Sequence, residues 1–215
     1  MFCNLKALAL ADFESIGTPE VLERGDRLFA EGDPSRGVFV LCTGRVKLSC
    51  TSRDGKTLLL KIASSGDVLG LGAVISGSSY EVTAEAIEPI EAKYIRKAEF
   101  LSFLQNHGEA SLHAAQALSE QYKATFLEAR RLALSGSAAA RLAGVLLDWG
   151  RADSPGNPEL SFTMGLTHEE LANMVGSSRE TVTRTLGQFK RDNLIEIRGS
   201  SISLLSPERL AEISA

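Results

Sequence analysis

Two helix-start signals flank a single glycine, and that pairing constrains this chain's fold more than any other feature. Thr167-His168-Glu169-Glu170 has capping-box spacing, so a helix is expected to begin there. Leu171, Met174 and Val175 give it an apolar face. Gly176 ends it, because glycine accepts the positive φ of a tight turn. Ser177-Ser178-Arg179-Glu180 reads as a second capping box, and Val182, Leu186 and Phe189 then face inward at helical spacing. Leu194 to Ile197, Gly199-Ser200 and Ile202 to Leu205 predict a closing hairpin, or wing.

The residues left off the apolar face carry the chemistry. An arginine fork can bond guanine O6 and N7 together, and a carboxylate can accept from cytosine N4. The N-terminus of a helix also favours phosphate. Ser178, Arg179, Glu180, Thr183 and Arg184 are therefore the candidate contacts to double-stranded DNA. Glu180 has two readings: it reads a base, or it only closes its capping box. Locally, Arg179, Arg184, Lys190, Arg191 and Arg198 outnumber Glu180, Asp192 and Glu196. The whole chain has a net charge of −4, which argues against indiscriminate nucleic-acid binding but not against a local basic site.

At 215 residues the chain suits one large domain or two small ones. No apolar run approaches the roughly 18 residues of a membrane span, and the N-terminus lacks the pattern of a signal peptide. No membrane partner and cytoplasmic residence are expected. Cys3, Cys42 and Cys50 are an odd, sparse set that fits free thiols in a reducing compartment.

From about Phe13 to Ile95 short alternating runs are separated by Gly25, Gly32, Gly44, Gly55, Gly66 and Gly77, which predicts a sandwich, barrel or roll. A short helix is expected over Leu5 to Ile16. Val38 to Leu41 and Val46 to Leu48 read as one hairpin turning at Thr43-Gly44, with Cys42 opposite Arg45. In that register Cys42 and Cys50 are too far apart for a disulfide at ~3.3 Å per residue, leaving buried or half-buried thiols. Asp54-Gly55 marks the next hairpin, leading into Thr57 to Ile62.

From Lys97 the period becomes helical. A short piece runs to Asn106, and a long helix is expected from about Glu109 to Ala133. Ala115, Leu118, Tyr122, Thr125, Ala129 and Leu132 form a heptad seam along it. The seam either packs on the chain's own β part or joins two chains. Dimerisation is favoured, because Leu112, Phe126 and Leu127 lie off the seam and are available for the intrachain contact. Ser135-Gly136-Ser137 reads as a hinge, with Ser137 capping a helix that runs to Trp149. Arg151 to Pro158 reads as an exposed loop.

These residues together resemble the cyclic AMP receptor protein/FNR family. Gly176 to Arg184 is similar to its recognition helix. Phe29 to Asp33, Val38 to Leu41, Gly44 to Lys47 and Gly66 to Gly70 are similar to its cyclic-nucleotide-binding roll. The resemblance implies an α+β chain in three parts: a β-roll (jelly roll) over residues 1–107, a dimerisation helix and hinge over 108–135, and a winged helix-turn-helix over 136–215. It implies a homodimer on a palindromic promoter that recruits or blocks RNA polymerase, with the Arg151 to Pro158 loop placed where activators of the family touch the polymerase. The arginine-glutamate-arginine pattern matches the branch that reads a TGTGA-like half-site, with Arg179 and Arg184 on guanines and Glu180 on a cytosine.

The chain departs from that family where cyclic AMP is held. Leu71 follows Gly70 in place of the glutamate for the ribose hydroxyl, and Tyr80-Glu81 stands in place of the arginine-serine pair for the phosphate. Phe126-Leu127 falls where the adenine contacts lie. Each departure removes a polar contact, so cyclic AMP binding is not expected. An FNR-type iron–sulfur cluster needs a full set of cysteine ligands, and Cys3 stands alone near the N-terminus. His107, His113 and His168 are dispersed, so no metal or cofactor is expected. A candidate effector pocket remains around Gly70, Leu71, Tyr80, Glu81, Tyr122 and Phe126. It takes an unidentified metabolite, or its own side chains fill it. No catalytic residue is assigned, since no phosphate-binding loop or nucleophile elbow is present. The competing function is an effector-binding module that does not touch DNA, a class with no use for the three charged residues on a capped helix before a wing.

Overall fold

The computed structural model describes residues 5–134, 136–154, 157 and 159–214, without the side chains of 128 and 131–134. Cys3, Pro155, Gly156 and Pro158, and the side chain of Leu132, lie outside the described residues. The chain divides into two compact units, Met1–Phe126 and Leu127–Ala215.

The first unit opens with helix α1 (Ala7–Ser15) and strands β1 (Thr18–Leu22), β2 (Arg27–Phe29), β3 (Gly37–Thr43), β4 (Val46–Thr51), β5 (Thr57–Ala63) and β6 (Val68–Leu69). Helix α2 (Leu71–Ser76), β7 (Thr83–Ala86), β8 (Ile90–Arg96), α3 (Lys97–Asn106) and the long α4 (Gly108–Leu134) follow. The strands form two antiparallel sheets of order β1-β8-β3-β6 and β2-β7-β4-β5. Strand β3 shows why the run Val38 to Leu41 is continuously apolar. Val38 and Val40 face a core closed by α1, α3 and the start of α4, whereas Phe39 and Leu41 face the space between the sheets. Both faces of the strand are covered.

The hairpin expected at Thr43-Gly44 does not form. Strand β3 pairs with β8 and β6, and β4 pairs with β5 and β7. The turn instead carries the chain from one sheet to the other. Gly44 has φ +77°, and a Cβ there would lie 2.6 Å from the Pro89 carbonyl oxygen and 2.7 Å from Ile90 Cγ2. The same corner is tied by the Arg45 fork, whose Nε and Nη2 donate to Glu88 at 3.0 and 2.8 Å. Hydrogen bonding from Arg45 holds the Glu88 carboxyl below its ordinary range. Gly44→Ala combines a disfavoured φ with two close contacts, so it is expected to cost about 2–4 kcal/mol. Urea unfolding followed by far-ultraviolet circular dichroism checks this, and an unchanged midpoint would refute it.

The hairpin at Asp54-Gly55 does form, with Thr51 opposite Thr57 in the β4–β5 pair. Cys42 is exposed, not buried, and Cys50 is half-buried; both are free. Burial, then the neighbouring Glu31, pushes the Cys50 thiol up.

The intrachain contact of α4 also differs from expectation. Ala110 and Ala114 are buried in the helix-side core, with Ala117 and Leu118 packed against it. Leu112, Phe126 and Leu127, expected to make that contact, are 58%, 60% and 58% exposed. Small side chains let the helix approach the roll closely, and the larger residues point elsewhere. Among the described seam residues, Leu118 alone packs against this core. Ala115, Tyr122, Thr125 and Ala129 are exposed.

The second unit adds α5 (Ala138–Asp153), β9 (Ser161–Thr163), α6 (His168–Met174), α7 (Arg179–Arg191), β10 (Ile195–Arg198), β11 (Ser201–Leu204) and α8 (Pro207–Ser214). Ser137 caps α5 by accepting from the Ala140 N–H at 3.1 Å. Helix α5 runs through Arg151 to Asp153, so the expected loop begins later than its sequence suggests. Among the described residues, no helix is long and apolar enough to cross a membrane.

Candidate nucleic-acid interface and effector pocket

Helix α6 begins at the predicted capping box. The Thr167 side chain accepts from the Glu170 N–H at 3.2 Å, and Glu170 accepts from the Thr167 N–H at 2.9 Å. The helix ends at Gly176 with φ +57°. The Ser177 N–H closes the turn on the Ala172 carbonyl at 2.9 Å. Because Ser177 belongs to that turn, the second cap falls one residue later than its spacing suggests. Ser178 is the cap, accepting from the Thr181 N–H at 3.2 Å. Ser178→Ala is expected to cost about 1 kcal/mol of stability, measured by thermal unfolding; no loss would remove the cap from the account.

The shift frees Glu180 from the capping box. Its carboxylate is fully exposed. Hydrogen bonding from its own backbone N–H, then from the Ser178 hydroxyl, holds it below the usual carboxylate range. It therefore stands charged, as an acceptor.

Val182, Leu186 and Phe189 are buried, and Ser178, Arg179, Glu180, Thr183 and Arg184 are all exposed. The structure thus brings the five predicted contacts to the N-terminal end of α7, away from its core face. Two further residues support them. The Arg141 guanidinium donates to the Val175 and Gly176 carbonyls at 2.6 and 3.3 Å, bracing the turn from α5. His168 Nδ1 lies 2.8 Å from Thr183 Oγ1, joining the start of α6 to the reading face. Neither was legible, since both contacts span elements far apart in sequence. The wing has a third strand: β9 pairs with β11 and extends the predicted β10–β11 hairpin. The alternation of Ser161-Phe162-Thr163 was the available signal.

The six candidate effector residues do not line one cavity. Gly70 and Tyr80 are neighbours, since a Cβ on Gly70 would lie 2.7 Å from Tyr80 Cε1. Tyr80 stacks on Phe29 at 4.0 Å between the sheets, and its hydroxyl donates to the Gly37 carbonyl at 2.7 Å. Leu71 faces the other way, into the helix-side core. Glu81 is exposed and accepts from Ser78. Tyr122 and Phe126 stack on each other at 6.5 Å and are 72% and 60% exposed. A cleft of about 220 Å³ bordering α4 is lined by Lys61, Asp67, Val68, Ala117, Glu120, Gln121 and Ala124, none of them among the six.

A two-sheet roll, a long helix and a winged helix-turn-helix define a transcription regulator in which an effector-type domain accompanies a DNA-binding one. Comparison with known proteins agrees part by part. The Cyclic nucleotide-binding domain family matches residues 19–107, and the Crp-like helix-turn-helix domain family matches residues 140–213. The chain belongs to the Crp/Fnr family of transcription regulators. It is 27% identical over 212 residues to a CRP-like cAMP-activated global transcriptional regulator of Mycobacterium tuberculosis, covering 98% of this chain and 94% of that one. It is 29% identical over 214 residues to a global nitrogen regulator of Synechocystis, covering 94% and 93%. The structure of FixK2 from Bradyrhizobium japonicum shares the fold with a TM-score of 0.82 at 21% identity, covering 93% of this chain and 98% of that one.

Proposed function

We propose that this chain acts as a homodimer that binds a palindromic TGTGA-type promoter site and recruits or blocks RNA polymerase there, without cyclic AMP. The observation that carries the reading is the exposed group Arg179, Glu180 and Arg184 at the start of a capped α7. Two arginine forks suit two guanines, and an ionised Glu180 suits cytosine N4. Ser178 and Thr183 supply hydroxyls beside them. Half-sites about one helical turn apart match the two-fold axis of a dimer. Mobility shift at stated salt tests it. The protein is expected to bind the palindrome and to lose affinity when every guanine of each half-site is replaced; equal binding to both overturns the proposal.

The Mycobacterium tuberculosis relative is described as cAMP-activated. In this chain Leu71 is in the core, and the Tyr80 hydroxyl is taken by Gly37. Both support independence from cyclic AMP. Isothermal titration is expected to show no micromolar affinity for it; such an affinity would refute that part.

A further inference from the structure

An aromatic-lined cleft of the roll lies where the residues expected for an effector do not predict one. It has a volume of about 390 Å³ and opens between β2 of one sheet and the β3–β8 pair of the other. Of the six expected effector residues only Tyr80 borders it, and α4 supplies none of its lining. Phe29, Phe39, Tyr80 and Tyr94 form its walls. Phe29 stacks on Tyr80 at 4.0 Å, and Phe39 lies tilted against Tyr94 at 4.9 Å. Phe29, Phe39 and Tyr80 are buried and Tyr94 is half-buried, so a further planar ring would meet Tyr94 first, with the other three behind it.

Two opposite charges stand at the cleft, Asp33 and Arg36. Their backbones are held in place. The Asp33 carbonyl accepts from Tyr80 at 2.9 Å and the Arg36 carbonyl from Lys97 at 2.8 Å. Their side chains are exposed, and among the described residues no ion pair joins Arg36 to any carboxylate. The Asp33 carboxylate makes one long contact, accepting from the Ala30 N–H at 3.4 Å. The Tyr94 hydroxyl has no hydrogen-bond partner among the described residues. An aromatic ligand bearing only a carboxylate would meet Arg36 but be repelled by Asp33. One bearing only an amine would meet the reverse conflict. A zwitterionic head satisfies both, with charge-assisted hydrogen bonds at each.

We infer that this cleft binds an aromatic α-amino acid, its ring packed on Tyr94 over the buried Phe29, Phe39 and Tyr80, its carboxylate on Arg36 and its ammonium on Asp33. The volume lies in the range of small-molecule sites. The inference concerns the roll alone and stands whether or not the DNA reading holds.

The test is isothermal titration of the intact protein, without DNA, using L-phenylalanine, 3-phenylpropionate and phenethylamine as probes. One L-phenylalanine per chain is expected to bind, ~10-fold or more tighter than either singly charged comparator, since each charged hydrogen bond carries a tenfold effect or more. Arg36→Gln is expected to weaken L-phenylalanine by a similar factor and to turn the comparators apart, phenethylamine binding better than 3-phenylpropionate, because Asp33 is then the one charge left at the cleft. Both charged positions are exposed, so the thermal unfolding curve of the variant should match the parent. No binding of L-phenylalanine at millimolar concentration, equal binding of all three probes, or unaltered binding by a folded Arg36→Gln variant would each overturn the assignment.

Discussion

Replacing Arg179 and Arg184 together with alanine is expected to abolish sequence-selective DNA binding while leaving the fold intact. Each arginine fork on a guanine discriminates by about 1–3 kcal/mol, and a dimer presents each fork twice. The loss on the proposed palindrome should reach at least ~10²-fold. The fold should not suffer, because both side chains are exposed and the core face of α7 is Val182, Leu186 and Phe189. Residual binding should be equal on specific and unrelated DNA, and steeply salt-dependent, as phosphate contacts alone would make it. Arginine-to-lysine exchange sharpens the test. It keeps the charge but loses the planar fork, so affinity for unrelated DNA should persist while selectivity falls. A double alanine variant that still prefers the palindrome would remove α7 as the reading element.

Replacing Tyr122 and Phe126 with glutamate is expected to convert the dimer to folded monomers. The two rings stack along α4 and are largely exposed in the single chain, so the roll does not depend on them. With Ala115, Thr125 and Ala129 they form an exposed strip of large and small side chains suited to a second helix. Burying one such ring contributes about 1.5–3 kcal/mol, and a two-fold interface contains each twice. Four carboxylates brought to the same axis also repel. Light scattering behind size exclusion should therefore move from the mass of two chains to that of one, 23.0 kDa. DNA affinity should fall by ~10²-fold or more, since the second half-site no longer binds at high effective concentration. A parent protein already monomeric at micromolar concentration, or a variant still dimeric, would contradict this use of the strip.

The parts of the fold legible in the sequence were those governed by local rules. The box at Thr167, the positive φ at Gly176 and the burial of Val182, Leu186 and Phe189 all follow from spacing within one helix. The β4–β5 hairpin was legible because Asp54-Gly55 is its turn. The Thr43-Gly44 corner was not, because the pairing of β3 with β8 depends on residues about fifty positions away. Its glycine signals a bend but not a destination. The capping error at Ser177 has a similar cause: two serines compete, and the hydrogen bond from Ser177 to Ala172 decides between them. In the effector region the alignment of single residues placed Leu71 and Tyr80 side by side, whereas the peptide between them turns one into each core. Helix α8, whose Leu210 is fully buried, carried too short a pattern to be read.

The brace from Arg141 to the carbonyls of Val175 and Gly176 separates support from meaning. Arg141 and the apolar face of α7 hold the helix-turn-helix from beneath, whereas Arg179, Glu180 and Arg184 project from it; of the proposed contacts, Ser178 and Thr183 also bond within the fold. An exchange at Arg179, Glu180 or Arg184 therefore carries little penalty in folding. Such a head can be rewritten one letter at a time, each intermediate still a folded protein. New binding sites are then open to natural drift and to laboratory selection alike, without a compensating change elsewhere in the domain.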